Sequence, residues 1–331
     1  MFLFKLFLQQ LKTIRNQHHY LIESIRIVKK YLTTVDQEMF LISIFIMYSN
    51  DRFEALGHTL SCLRDMPLYE NCQKTIVVDG KIESIPPEWE VLQVPRIDNK
   101  FCWGRMWDAG VLSARFEKIV YLDSDRLLPK EFLQLVDKNI KDNVFIFTSI
   151  HLMMNKHLDI QKCKNTLEDF SKKQNCNKFN FILEQFKFET RHAEPYHGPS
   201  KNVMSGSTSF TRKTYIRLGG VDQWYCGHGA FADNDFHMQA ALNGCNFIDL
   251  SIPEIHYPHF KLSQENNRIK DKDLFILGLN NFIYYCKKWN LPIALAESLA
   301  VKCEIKNPAS YVNKKLKELE KSVTVAMPYF R

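Results

Sequence analysis

The sequence lacks paired cysteines. Its 331 residues include 9 cysteines, but no two of them form a Cys-x-x-Cys pair. Zinc knuckles depend on such pairs, and small secreted proteins arrange their cysteines in a disulfide framework. The scattered cysteines indicate neither pattern, and they favour a cytoplasmic protein whose thiols stay reduced.

The sequence also lacks an apolar run long enough to cross a membrane. The apolar N-terminal stretch, residues 1–11, contains Lys5, Gln9 and Gln10 and is too short to span a bilayer. No small-residue cleavage site follows it, so a secretory signal is not indicated. Residues 12–32 are polar with helix-spaced aliphatic side chains. We expect residues 1–32 either to pack against the main domain or to make a peripheral contact with the inner face of a membrane.

A third absence is that of a nucleic-acid-binding pattern. The formal net charge is +7 at pH 7, and outside residues 156–191 the basic side chains are mixed with acidic ones. Arginine-aromatic repeats and base-reading motifs are missing, so we predict no nucleic-acid partner. The mildly basic balance favours anionic nucleotides or lipid headgroups instead.

What the sequence does contain is the alternation of strands and helices that is typical of a parallel α/β sheet. Continuous β-favouring runs end in turn residues, and helix-periodic stretches separate them. The predicted elements are a strand at Met39–Tyr48, a helix at Phe53–Arg64, strands at Thr75–Val78 and Trp89–Val94, and a helix at Trp103–Phe116. This order predicts an α/β fold with a doubly wound, Rossmann-like, mostly parallel central sheet.

Two aspartates stand at the end of a further predicted strand, Ile119–Leu122. Asp123 and Asp125 are separated only by Ser124, and Pro129 prevents the strand from continuing. Ligands of parallel sheets bind beyond the carboxyl ends of the strands, and closely spaced carboxylates suit Mn²⁺ or Mg²⁺ together with phosphate oxygens. The pattern predicts a metal site, although a solvated acidic turn has the same composition.

Further polar residues follow the predicted strands and begin the second helix. Asp79 ends a strand, where a carboxylate can bond the sugar or base of a nucleotide, although Asp-Gly is also an ordinary turn. Arg105 is placed to pair with a phosphate and Asp108 with a sugar hydroxyl, unless both are surface residues of a connecting helix. The predicted nucleotide contacts are Tyr48, Asn50, Arg52, Asp79, Arg105, Asp123 and Ser124.

A second block of motifs lies further along the chain. It reads Gly219-Gly220-Val221-Asp222, then Gly227-His228-Gly229, and then Ala232-Asp233-Asn234-Asp235-Phe236. With the order of strands and the Tyr-Leu-Asp-Ser-Asp run, the chain resembles GT-A glycosyltransferases of the family 2 type. The second block is similar to the "GGFD…GWG…EDxD" segment of β-1,4-galactosyltransferases, polypeptide N-acetylgalactosaminyltransferases and chondroitin-type polymerases. The two blocks together cover residues 39–259.

The resemblance implies a metal site. Asp123 and Asp125 match the family's Asp-x-Asp, in which Mn²⁺ or Mg²⁺ bridges the diphosphate of the sugar donor. His256 matches the histidine that completes the site in metal-dependent members, and His259 is the alternative.

The resemblance also implies a base and ligand contacts. Asp79 matches the acidic residue that contacts uridine, and Asp233 matches the catalytic base. By position alone, Asp233 could equally be the cap of a helix predicted at Asn234–Leu242. The contacts expected for the donor or acceptor sugar are Asp108, Gly206, Gly220, His228, Gly229 and Asp235.

The second block departs from these relatives in three places. Ala232 stands where an acidic residue usually precedes the base, His228 replaces a tryptophan, and one residue is added between Gly229 and Asp233. Either Asp235 or His228 substitutes for the missing carboxylate, or the chain has lost activity.

Three parts make up the predicted domain organisation. An N-terminal helical extension at residues 1–37 precedes a GT-A catalytic domain at 38–260, and a helical cap at 261–331 follows it. Within the catalytic domain, residues 38–130 are the nucleotide-binding half and residues 131–260 the acceptor half. Residues 152–200 are expected to form an excursion over the site.

Outside the nucleotide-binding half, helices are predicted at Thr166–Phe170, Phe179–Phe188, Asp273–Trp289, Ala294–Cys303 and Ala309–Leu319, and a β-like return at Ser205–Phe210.

The residues and the resemblance together predict a metal-dependent, inverting glycosyltransferase. It would move a hexose or N-acetylhexosamine from a UDP-sugar to a hydroxyl of a glycan acceptor, and inversion is implied by a base without an evident nucleophile. A non-catalytic sugar- or nucleotide-binding module is the alternative that Ala232 suggests. A nucleotidyltransferase is disfavoured because no glycine-rich, lysine-containing phosphate loop follows the first strand. The oligomeric state is not indicated.

Overall fold

The structure is a computed structural model of the chain. It describes residues 42–48, 53–80, 82, 84–96, 103–148, 150–154, 160–172, 186–190, 207–225, 231–250, 252–257 and 271–322. The N-terminal extension predicted at residues 1–37 lies outside these ranges. The predicted domain boundaries therefore stay predictions.

Two sheets form within these ranges. Their strands, numbered along the chain, are β1 (Ile42–Tyr48), β2 (Cys72–Val78), β3 (Glu90–Gln93), β4 (Lys118–Asp123), β5 (Arg126–Leu127), β6 (Val144–Phe147), β7 (Ile150–Met154), β8 (Phe186–Thr190), β9 (Ser207–Thr211), β10 (Asn246–Asp249) and β11 (Pro253–His256). The central sheet has seven strands in the order β10-β6-β9-β4-β1-β2-β3, and the smaller one has the order β5-β11-β7-β8.

The central sheet is parallel apart from one strand. The pairs β1–β2, β1–β4, β2–β3 and β6–β10 are all parallel, whereas β9 lies antiparallel between β4 and β6. The return predicted at Ser205–Phe210 is this strand. The arrangement confirms the predicted α/β class with its mostly parallel central sheet.

Helices flank the central sheet and follow it. They are α1 (Phe53–Arg64), α2 (Trp103–Ser113), α3 (Phe132–Asn139), α4 (Ile160–Lys172), α5 (Arg212–Leu218), α6 (Ala232–Leu242), α7 (Asp271–Lys288), α8 (Ile293–Lys302) and α9 (Pro308–Ser322). In the described ranges no helix is both long and apolar enough to pass through a bilayer.

Strand β1 shows why the sheet has a core on each face. All seven of its residues are buried, and alternate side chains point to opposite faces. Ile42, Ile44 and Ile46 pack in one core with side chains of α1 and α3. Phe45 and Met47 pack in the other core with α2, α5 and α6. Each fully buried side chain of this kind contributes about 1.5–3 kcal/mol relative to an exposed one, so helices cover both faces.

The smaller sheet corrects part of the sequence prediction. A helix was expected at Phe179–Phe188, but residues 186–190 form strand β8, which pairs antiparallel with β7. The helix prediction is therefore wrong for residues 186–188, while residues 179–185 lie outside the described ranges. The expected excursion at residues 152–200 also contains α4, which is longer than the predicted Thr166–Phe170.

Candidate active site

The register of the central sheet brings three predicted site residues to one edge. In β1 and β2, Tyr48 lies opposite Val78, so Asp79 follows immediately beyond that pair. In β1 and β4, Met47 lies opposite Asp123. Because the carboxyl ends of parallel strands share an edge, Tyr48, Asp79 and Asp123 are gathered there, as the sequence predicted.

A buried guanidinium group lies among the carboxylates at this edge. Arg126 donates a hydrogen bond from Nη2 to Asp123 Oδ2 at 3.3 Å and one from Nη1 to Glu254 Oε1 at 3.1 Å. Its Nε lies 3.2 Å from Asp125 Oδ1. Burial opposes the charge on Arg126, but the carboxylates of Glu254, Asp125 and Asp123 outweigh burial and raise the pKa of Arg126.

Glu254 is one of two members of this cluster that the sequence analysis did not select. Its side chain is 0% exposed. Glu254 Oε2 accepts a hydrogen bond from Thr148 Oγ1 at 2.6 Å and another from Ser207 Oγ. Arg126 was missed as well. The available signals were a glutamate two residues before His256 in a short strand and an arginine directly after Asp-x-Asp.

His256 lies beside Asp125. Strand β11 pairs with β5 so that His256 lies opposite Arg126, and the amide of Tyr257 donates to the carbonyl oxygen of Asp125 at 2.9 Å. His256 Nε2 is then 3.3 Å from Asp125 Oδ2. The Asp125 side chain is 1% exposed and the His256 side chain 22%, so the pair is reached from the histidine side.

The donor set of this pair fits a divalent cation that also binds phosphate. In the part of the chain that the structure describes, no three His, Cys, Asp or Glu side chains are grouped to hold a metal ion. Carboxylate oxygens suit Mn²⁺ and Mg²⁺, and an imidazole nitrogen can bind a divalent transition metal. Mg²⁺ in nucleotide sites uses one or two carboxylates and takes further oxygens from substrate phosphates. Asp125 and His256 therefore fit the partial site that such a cation needs.

Asp79 has one carboxylate oxygen in use and one available for a ligand. Its side chain is 2% exposed, and Oδ2 accepts from Arg96 Nε at 2.7 Å. Oδ1 is buried and has no hydrogen-bond partner among the described residues. The same is true of Ser124 Oγ, although Thr59 Oγ1 donates to the Ser124 carbonyl oxygen at 3.0 Å. Buried polar atoms nearly always bond to something, so these two atoms are suited to a ligand.

Asp233 lies in the first turn of helix α6. The N-cap is Phe231 and not Asp233, so the simple capping interpretation does not hold. Phe231 has φ +87°, which is strained for a bulky residue, and its ring stacks on Phe282 of α7 with centroids 4.7 Å apart. The strain next to Asp233 is therefore held by packing against the C-terminal helices.

The charge of Asp233 acts on the strand that carries Asp123. Burial raises the pKa of the Tyr121 hydroxyl well above its usual value, and the carboxylates of Asp123 and Asp233 raise it further. Tyr121 lies in β4 and packs on Trp107 with ring centroids 3.7 Å apart. Asp233 and Asp123 are thus within electrostatic range of one buried hydroxyl group.

Asp235 occupies a different environment from Asp233. It is 0% exposed, and its carboxylate accepts hydrogen bonds from Tyr225 Oη, Lys288 Nζ and Trp289 Nε1 at 3.1, 2.7 and 2.7 Å. Burial raises the pKa of Asp235 to about 6, although Lys288 lowers it. Asp235 anchors helix α7 to α6, and a sugar contact would have to compete with these three bonds.

Asp108 lies close to Gly220. Asp108 accepts from Tyr215 Oη at 2.6 Å and from Gln223 Nε2 at 2.5 Å, and burial raises its pKa to about 7. Gly220 has φ +75°, and a Cβ there would lie 2.7 Å from Asp108 Oδ1. Arg105, half-buried on the same helix, lowers the pKa of Asp108 by its charge. Asp108 therefore supports the loop before Asp233.

The other predicted site residues fall where the structure gives no description. They are Asn50, Arg52, Gly206, His228, Gly229 and His259. Their roles stay predictions.

Comparisons with known proteins give structural similarities only. No protein-family model matches the sequence, and no curated protein sequence matches it. A mannosyltransferase from Pyrobaculum calidifontis in complex with GDP-Man and Mn²⁺ is 13% identical, with a TM-score of 0.46 over 93% of this chain and 83% of its own. S. aureus TarS in complex with UDP-GlcNAc is 11% identical, with a TM-score of 0.45 over 80% and 71% of the two chains. GalNAc-T7 with UDP, GalNAc and Mn²⁺ is 11% identical, with a TM-score of 0.46 over 88% of this chain and 59% of GalNAc-T7.

Proposed function

We propose that the chain is a metal-dependent, inverting glycosyltransferase that moves a hexose or N-acetylhexosamine from a UDP-sugar to a hydroxyl of a glycan acceptor. The observation that carries this proposal is the contact between Asp125 Oδ2 and His256 Nε2, 3.3 Å apart at the carboxyl edge of the central sheet. Two ligand types of one cation meet there, on the same edge of the sheet as Asp79, with β1 between the strands β4 and β2.

The nucleotide occupies the edge of the sheet between the ends of β2 and β4 in this proposal. Within the described part of the chain, Asp79 Oδ1 and Ser124 Oγ make no hydrogen bond. In the proposed complex, Asp79 Oδ1 accepts a hydrogen bond from the base or ribose, and the Ser124 hydroxyl donates or accepts one. Arg96 holds the other oxygen of Asp79 and so fixes the carboxylate. A buried, pre-oriented acceptor discriminates well between ligands, because a mismatch leaves it without a partner.

The cation would be held by Asp125 and His256 and would neutralise the charge of the departing diphosphate. Asp123 is held by Arg126, which keeps the first carboxylate of the motif in a fixed orientation. The resemblance assigned both aspartates to the metal, and the contacts favour Asp125 as the nearer partner of His256.

Asp233 is the base in the proposed reaction. The acceptor hydroxyl gives its proton to the Asp233 carboxylate while its oxygen forms a bond to the anomeric carbon. The bond from that carbon to the diphosphate oxygen breaks, and UDP leaves with the electron pair. Attack from the face opposite the diphosphate inverts the anomeric configuration, and such a base contributes roughly 10²–10⁴-fold to the rate.

The departure at Ala232 has a structural context. Ala232 is buried in the core that also contains Phe236 and Trp107. An acidic side chain at this position would therefore be placed against apolar groups. This packing favours an active site that does without the preceding carboxylate.

Release of UDP from a panel of UDP-sugars tests the proposal. The full chain is incubated with each sugar in Mn²⁺, Mg²⁺ or EDTA, beside Asp125→Ala and Asp233→Asn. Metal-dependent release from one or two sugars, abolished by Asp125→Ala, is the expected result. Pyrophosphate release would instead identify a nucleotidyltransferase, and tight UDP binding without release from any sugar or acceptor would identify a non-catalytic module. Retention of the anomeric configuration in the product would exclude inversion.

A further inference from the structure

We propose that Glu254 is a positioning residue that orients Arg126 and, through it, the carboxylates of Asp123 and Asp125. This inference deepens the proposed function and rests on it. Glu254 does not touch the nucleotide or the cation in this proposal. It acts by fixing the group that holds the aspartates.

The guanidinium of Arg126 contacts a different carboxylate through each of its nitrogens. Nη1 bonds Glu254 at 3.1 Å, Nη2 bonds Asp123 at 3.3 Å, and Nε lies 3.2 Å from Asp125. A guanidinium is planar and its donors have a fixed geometry. Fixing one of the three contacts therefore restricts the directions in which the other two can point.

Glu254 can fix the orientation of Arg126 because hydrogen bonds from the central sheet fix the Glu254 carboxylate. Its second oxygen accepts hydrogen bonds from Thr148 and Ser207, whose hydroxyl oxygens are 3.1 Å apart. Thr148 directly follows β6, and Ser207 begins β9. A residue of the smaller sheet is thus tied to two strands of the central sheet, and the Asp-x-Asp turn is tied to both sheets.

The charges of the cluster explain why the orientation of Arg126 matters. Three carboxylates surround one guanidinium, and the exposed fractions of these four residues range from 0 to 6%. When all are ionised, the cluster has an excess of negative charge that a divalent cation can offset. If Glu254 lost its charge, Arg126 would lose its pull towards Glu254 and would shift closer to Asp123 and Asp125, which it already contacts. It would then compete with the cation for the oxygens of Asp125.

The experiment measures UDP binding calorimetrically, with and without Mn²⁺, for the full chain and for Glu254→Gln. We expect Mn²⁺ to increase the affinity of wild type for UDP. The factor of increase should be about tenfold smaller for Glu254→Gln, because replacing a residue that orients a metal ligand usually has an effect of this size. In EDTA the two proteins should bind UDP nearly equally, because the Asp79 carboxylate is held by Arg96 and not by Glu254. A merely structural role would weaken binding in both conditions alike.

Three further variants complete the test. Ser43→Ala is the matched control, because Ser43 Oγ is buried in the same sheet and bonds Gln73 and the amide of Phe116 near the amino end of β1. It should leave the effect of Mn²⁺ unchanged. Thr148→Val keeps the charge of Glu254 and removes one of its bonds, so it should give a smaller loss and remains usable if Glu254→Gln does not fold.

Arg126→Met tests whether Glu254 acts through the arginine. Adding Glu254→Gln to Arg126→Met should produce no further loss in the effect of Mn²⁺. Independent, additive losses would overturn the inference, as would an unchanged effect of Mn²⁺ in folded Glu254→Gln. If wild type itself binds no UDP with Mn²⁺, the proposed function fails and this inference fails with it, whereas an unchanged Glu254→Gln leaves the proposed function standing.

Discussion

The ammonium group of Lys288 lies 2.7 Å from the buried carboxylate of Asp235. Lys288 Nζ is also 2.8 Å from Asp222 Oδ2, which accepts a hydrogen bond from Tyr284 Oη. One cation from helix α7 therefore offsets two carboxylates, one in α6 and one in the loop that follows Gly220. Asp222 precedes Asp233 in the chain and Asp235 follows it by two residues. The C-terminal helix α7 therefore holds the segments on both sides of the proposed base without contacting a substrate.

Replacing Lys288 should destabilise the fold strongly. Lys288→Met leaves the carboxylate of Asp235 buried without its cation, and removing one partner of a buried ion pair typically costs about 3–5 kcal/mol. Urea unfolding of the full chain measures this loss. Lys315→Met, which removes the partner of half-exposed Glu318, is the control and should change the free energy of unfolding by no more than about 0.5 kcal/mol. Equal losses in the two variants would contradict the role of Lys288.

The pH dependence of stability should reveal Asp235. Burial raises the pKa of Asp235 to about 6, and the value in an unfolded chain is about 3.9. Between these values the native state binds a proton that the unfolded state does not, so this group makes the free energy of unfolding increase as the pH falls. Lys288 and Asp222 both face Asp235. Burial alone would raise the pKa of Asp222, but the charge of Lys288 and the hydrogen bonds to Asp222 outweigh burial and lower it, so Asp222 affects stability only at lower pH.

The measurement compares wild type with Asp235→Asn. From pH 8 to pH 5, wild type should gain stability relative to this variant, as shown by the midpoints of urea unfolding. A relative loss of stability for wild type over this range would contradict the raised pKa.

Gly220→Ala should cost more than an alanine at another glycine of similar backbone conformation. Gly220 has φ +75° and Gly244 has φ +72°, but only at Gly220 would the added Cβ meet a neighbour, Asp108 Oδ1 at 2.7 Å. Gly244→Ala should cost about 1–2 kcal/mol from the left-handed backbone alone. The loss in the free energy of unfolding for Gly220→Ala should be larger by about 1 kcal/mol or more, because packed neighbours must shift. Thermal unfolding compares the two, and equal losses would show that Asp108 yields without cost.

Asp79→Ala should weaken UDP binding. Loss of a hydrogen bond to a charged group costs about 1.5–3 kcal/mol, which corresponds to roughly 10–100-fold in the dissociation constant. Calorimetry in EDTA measures this without the cation. Asp137→Ala removes a partly buried carboxylate that pairs with Lys118 at the opposite end of β4, and it should leave UDP binding unchanged. If both variants bound UDP like wild type, the nucleotide would not lie at the end of β2.

Asp233→Asn should separate binding from turnover. The amide cannot accept the proton of the acceptor hydroxyl, so glycosyl transfer should fall by roughly 10²–10⁴-fold. Affinity for UDP with Mn²⁺ should stay within about twofold, because Asp233 does not contact the nucleotide in the proposed arrangement. Product formation and calorimetry on the same preparation give the two values. A fall in affinity as large as the fall in turnover would assign Asp233 to binding instead.

Sequence patterns predicted the elements well where packing and propensity agree. Helix α1 has the predicted bounds, Phe53–Arg64. Strand β2 begins at Cys72, three residues before the prediction at Thr75, because polar Gln73 and Lys74 are held in the ladder with β1. The helix predicted at Trp103–Phe116 ends at Ser113 because the amide of Arg115 bonds the Gln73 side chain. Long-range partners set these ends, and a local pattern does not contain them.

The site residues also divide into those that a local sequence pattern indicates and those that depend on long-range contacts. The motif around Asp123 and Asp125 could be found from residue types and spacing, whereas His256 was selected only through the family resemblance. The structure brings Asp125 and His256 together. Glu254 and Arg126 have only weak local signals, because their contact depends on the pairing of β11 with β5, more than a hundred residues apart. Asp235 shows the converse. It is a motif position that was predicted to contact a sugar, but its carboxylate accepts hydrogen bonds from Lys288 and Trp289 instead.

The position of strand β9 has a consequence for how the chain folds during synthesis. β9 separates β4 from β6, and its register joins Lys118 to Thr211. Until β9 has left the ribosome, one edge of β4 in the middle of the sheet has no neighbouring strand, and the nucleotide-binding half is an open template for pairing with other chains. Completion of the sheet therefore waits for a distant segment, which slows folding. Fragments that stop before residue 207 should aggregate rather than fold as independent nucleotide-binding domains.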